Sequence, residues 1–178
     1  MNFSEIVLGH LRSLFVKYDL KIKEQRIDFL QLVSGRIIIT IGHNQLENSN
    51  SVFISKKESE KESIDIDNQV LLEFFHSDLK LAEVPAETFV ENLVTFFKND
   101  GQPLLMGDEK MIADLENFDE DRSRKYTQEL MKRQNLAVAN KAWNEQNYIE
   151  FIKIIDEIND IRLPSSYQLK YEIAKKKI

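Results

Sequence analysis

The side chains in this sequence that could do chemistry are three histidines, thirty carboxylates and the backbone freedom of five glycines; there is no cysteine. Without thiols there is no disulfide framework, no thiolate metal site and no cysteine nucleophile. His10, His43 and His76 are far apart, and none belongs to an HExxH pair that would put two imidazoles on one turn of a helix. Each is expected to be structural or solvated. Gly9, Gly35, Gly42, Gly101 and Gly107 form neither GxGxxG nor a phosphate-cradling loop, and no G-x-S-x-G elbow is present. Asp65, Asp67 and Asn68 begin like a calcium loop, but the central glycine is missing and His76 stands where the bidentate glutamate belongs. The sequence therefore points to no catalytic residue, no metal and no cofactor, and the expectation is a protein that is not an enzyme.

One stretch has a composition of its own. Asp108, Glu109, Asp114, Glu116, Asp119, Glu120 and Asp121 face a single base, Lys110, giving a local charge of −6 that equals the formal charge of the whole chain. Acids at helix starts are stabilised by the helix dipole, by about 0.3–1 kcal/mol each, and Asp108 and Asp119 are placed as N-caps. Caps need one or two acids per helix, whereas seven cluster here. Such a concentration creates a potential that attracts a basic partner, so these seven residues are the candidate partner-binding site.

The same charge argues against nucleic acid as a partner, because phosphates require a basic face. Residues 1–19 carry charges throughout and have no basic start, so neither a signal peptide nor a membrane span is expected, and the default location is the cytoplasm.

The elements that would position these residues follow from periodicity. Phe3, Val7, Leu11, Leu14 and Tyr18 recur at helical spacing, with Ser4 as the expected N-cap. Ile27 to Val33 and Arg36 to Ile41 read as two strands turning at Ser34–Gly35; Ser51–Ser55 adds a third, and Ile64–Asp67 a fourth. Residues 56–63 form a charged loop, and the run 70–75 fits a buried strand or a short helix equally. Pro85 opens a helix with Phe89, Leu93, Phe96 and Phe97 inward, stopped by Asn99–Gly101. A short helix from Asp108 and a long one from Asp119 follow. Along the long helix Tyr126, Leu130 and Ala137, then Leu136, Ala139 and Trp143, trace a drifting stripe, as if several neighbours packed along it. Tyr148 to Ile158 supply the next helix, and Ser165 with Gln168 a capping box for the last. Ala137, Ala139, Ala142, Trp143, Tyr148 and Phe151 suggest one tetratricopeptide-like helical hairpin, without the further copies an array needs.

The fold class is α+β: an N-terminal helix, an antiparallel sheet of three or four strands and a helical C-terminal half. Residues 1–178 are read as a single domain, with Gly101–Pro103 a break that could divide a helix-plus-sheet part, 1–100, from a helical part, 101–178.

The layout resembles small bacterial proteins encoded beside contact-dependent or polymorphic toxins, where they serve as immunity proteins. The resemblance is carried by RIIITIGHNQLENSNSVFISKK (36–57), FFKNDGQPLLMGD (96–108) and RSRKYTQELMKRQ (122–134). It implies a non-catalytic cytosolic inhibitor that binds a basic toxin domain. The alternative is a small-ligand binder or enzyme with a cleft between sheet and helices, using residues such as Arg36, Asp65 and His76.

Overall fold

A computed structural model of the chain describes residues 2–59, 62–158 and 163–178. The chain forms two compact units, residues 1–119 and residues 120–178. The Gly101–Pro103 break lies within the first.

Helix α1 (Phe3–Tyr18) buries Phe3, Val7, Leu11 and Leu14 as their spacing dictates. Its cap is Asn2 rather than Ser4. Asn2 has the extended backbone a cap requires; its side chain accepts the Glu5 N–H at 3.0 Å, and the Glu5 carboxylate accepts the Asn2 N–H at 3.0 Å. Ser4 is already helical, and its buried hydroxyl donates to the Asn2 side chain instead.

The sheet has five antiparallel strands in sequence order: β1 (Lys21–Gln25), β2 (Phe29–Val33), β3 (Ile37–Asn44), β4 (Ser49–Lys56) and β5 (Ile64–Asp65). Facing residues Leu30 and Ile41, Leu32 and Ile39, Ile39 and Ile54, and Ile41 and Val52 place apolar side chains on one side, and all of them are buried. Strand β1 was not legible in KIKEQ, which has no apolar alternation. It is an exposed edge with an irregular register between Ile22 and Glu24, held by backbone pairing to β2. The fourth expected strand is the two-residue β5. Residues 60 and 61 of the expected charged loop lie outside the described residues.

Asp67 caps α2 (Asn68–Glu73) through the Val70 N–H at 2.8 Å, which settles the ambiguous run as helix. Asn68 then secures the chain leading to the next helix. Its side-chain oxygen accepts the N–H groups of Leu81 (2.8 Å) and Ala82 (2.9 Å), and its amide donates to the Ala82 carbonyl. Helix α3 (Ala86–Lys98) buries Phe89, Leu93, Phe96 and Phe97. Those rings, the α1 stripe and the inward face of the sheet close on a single core.

After the short α4 (Gln102–Leu105), Gly107 takes a left-handed conformation with φ of 68° and turns the chain into α5 (Glu109–Asn144). This 36-residue helix replaces the two expected helices. Neither Gly nor Pro interrupts the sequence near Asp119, so that residue sits mid-helix and caps nothing.

In the second unit the end of α5 packs with α6 (Tyr148–Ile158) and α7 (Ser165–Lys175). Ala139 and Ala142 offer small surfaces against Phe151, Ile154 and Ile155, and Trp143 meets the Tyr148 and Phe151 rings edge-on at 5.5 and 5.4 Å. The Ser165–Gln168 capping box does not form. Pro164 occupies the cap position, and the Gln168 amide donates to the Leu163 carbonyl.

Candidate interaction surface on helix α5

The first turns of α5 are fixed by residues whose roles are structural. The Asp108 side chain accepts the Met111 N–H at 2.9 Å, so this carboxylate is the N-cap the sequence indicated. Ile112 and Leu115 are buried in the first core, and Phe118 packs on Phe74 with ring centroids 5.5 Å apart. Those contacts set which side of the helix is exposed.

The remaining acids fall on more than one face. Glu109, Glu116 and Glu120 recur at intervals of seven and four and share a side, whereas Asp114 and Asp121, seven apart, lie on another. Several are locally neutralised. Glu109 pairs with Arg36 at 2.8 Å, Glu116 with Lys56 at 2.5 Å, and Asp121 with Arg124 one turn on. Asp119 is half-buried and also has an interaction partner. Asp114 and Glu120 are exposed and make no ion pair or hydrogen bond among the described residues. Exposed pairs of this kind contribute about 0–1 kcal/mol and leave carboxylate oxygens open to water.

Arg36 belongs to the site although it is remote in sequence. Its guanidinium also donates to the Gly107 carbonyl at 3.2 Å, which ties the β2–β3 turn to the start of α5. Arg36, Lys56, Lys57, Glu58, Glu109 and Ile112 line a cleft of about 370 Å³ in the first unit. Arg36 is the one member of the alternative trio lining that cleft. Asp65 pairs with Phe53 in the sheet, and His76 is an exposed residue with φ of 54° just after α2. His10 is exposed on α1, and His43 stacks on Phe3 at 5.2 Å while its Nδ1 hydrogen-bonds the Asn50 side chain at 2.8 Å. No three His, Cys, Asp or Glu side chains are grouped to hold a metal ion among the described residues.

Sequence reasoning missed the middle of α5. Residues 123–131 are all exposed, Tyr126 at 70 % and Met131 at 57 %. Leu136, Ala139 and Trp143 do pack in the second unit, but Tyr126 and Leu130 do not face the neighbours their spacing suggested. No helix among the described residues is long and apolar enough to cross a membrane. No family model matches the chain, and comparison with curated proteins and with solved structures gives no match either.

Proposed function

We propose that this protein works by binding another protein through the exposed length of α5, as a non-catalytic inhibitor of the immunity type directed at a basic partner. One observation carries the reading: within the acidic segment 108–121, Asp114 and Glu120 stand exposed and unpaired, whereas Asp108 caps the helix, Glu109, Glu116 and Asp121 are ion-paired and Asp119 has a partner of its own. Carboxylates that stabilise nothing locally keep their full interaction for a cationic partner, and they speed encounter by long-range attraction. The competing reading, ligand chemistry in a cleft, rests on the basic lining at Arg36 and Lys56. Glu109 and Glu116 already answer those charges.

The experiment is capture from the producing cells with the immobilised chain and with Asp114→Asn/Glu120→Gln. The expected result is a basic protein recovered by the parent chain, released by salt and strongly reduced with the variant. Equal recovery by both chains would remove the reading. Neither side chain is engaged in the fold, so the variant is expected to fold normally.

A further inference from the structure

We infer that the chain self-associates in an antiparallel pair through the exposed middle of α5. At about 100° per residue, Tyr126, Thr127, Leu130, Met131, Gln134 and Val138 fall within one arc that carries no charge between residues 123 and 138; Arg133 and Arg124 border its two edges, and Arg122, Lys125, Glu129 and Lys132 lie outside it. Leu130 is 43 % exposed and Val138 55 %, so this arc meets water. A helix normally buries such a face.

Charge selects the occupant. Ser123, Thr127, Leu130, Gln134, Ala137 and Lys141 recur at alternating steps of four and three, the spacing of a two-helix seam, and Glu120 precedes them in the same register. In a parallel pair Glu120 would face Glu120 and Lys141 would face Lys141. In an antiparallel pair Thr127 lies opposite Leu130, Ser123 opposite Gln134, and Glu120 beside Arg133 and Lys141 of the second copy, twice by symmetry. Tyr126 then comes beside the Arg133 guanidinium of the other copy, where ring and cation attract. A second copy read in reverse therefore supplies both the apolar surface and the opposite charges that this arc lacks. Glu120 is shared with the partner-binding surface proposed above, and Leu130→Asp, which leaves Asp114 and Glu120 in place, tests the association separately from that reading.

The test is sedimentation equilibrium of the full chain over a range of concentrations, with Leu130→Asp as the variant and circular dichroism as the check on folding. The seam is short and partly polar, so association is expected to be weak, with dimer present at chain concentrations on the order of 100 µM. Leu130→Asp is expected to raise the dissociation constant at least about tenfold while helicity is unchanged. Orientation is read separately. Because the chain has no cysteine, Ser123→Cys and Gln134→Cys chains can be mixed and oxidised. The antiparallel pair gives the mixed disulfide, with little Ser123→Cys homodimer. A chain that stays monomeric at every concentration overturns the inference and leaves the face to a different occupant. A dimer indifferent to Leu130→Asp, or cross-linking of Ser123→Cys only to itself, overturns it equally.

Discussion

Gly101→Ala isolates a single packing term in the first core. Gly101 has φ of −83°, a conformation alanine adopts freely, so the substitution brings no backbone strain. The cost comes from space. A Cβ at this position would lie 2.6, 2.7 and 2.9 Å from three ring atoms of Phe96. That ring is fully buried, with Phe75 edge-on at 4.9 Å and Phe97 at 5.3 Å, so it cannot simply turn aside. Overpacking of this size costs about 1–3 kcal/mol. A loss near 2 kcal/mol lowers the melting temperature of a unit this large by roughly 6–10 °C. Gly35→Ala is the matched control, since nothing lies within 4 Å of its Cβ position and its φ is not left-handed. Its effect is expected to stay within about 0.5 kcal/mol. Thermal and urea denaturation of both variants checks the reasoning. If Gly101→Ala proves as stable as Gly35→Ala, the described packing of Phe96 over the α3–α4 corner is wrong.

Two further outcomes follow from the hydrogen-bond pattern. Asn68→Ala removes the acceptor for the Leu81 and Ala82 N–H groups, which is expected to cost about 1–3 kcal/mol in urea denaturation and to open residues 74–85 to limited proteolysis. In dilute solution, amides of residues 123–131, held by helix hydrogen bonds alone, are expected to exchange with deuterium well before those of residues 111–118, which back onto the core; equal protection would contradict the exposure described for this stretch.

The α+β class, α1, the β3–β4 pair, α3 and α6 were legible because each carries a strong apolar period matched to its geometry. The misread parts share a cause: they are fixed by partners distant in sequence or by backbone geometry. Strand β1 has no pattern of its own and exists through pairing with β2. The Asn2 cap was displaced to Ser4 because both residues are good caps, and only the backbone angle at position 2 separates them. Asp119 looked like a helix start because acids favour starts, yet nothing there interrupts α5. The site was legible as composition alone. That Glu109 and Glu116 would meet Arg36 and Lys56, more than fifty residues away, depends on how the sheet returns to the first turns of α5. The apolar period of Tyr126 and Leu130 was read as packing within the chain, whereas it marks a face left open.

The central claim, that exposed carboxylates on α5 draw a basic partner, is tested most directly by the salt dependence of binding to the partner recovered by capture. Titration calorimetry from low to physiological ionic strength is predicted to show affinity falling steadily as salt rises, and Asp114→Asn/Glu120→Gln is predicted to bind more weakly with a shallower salt dependence. Affinity that is independent of salt and identical for both chains would contradict the account.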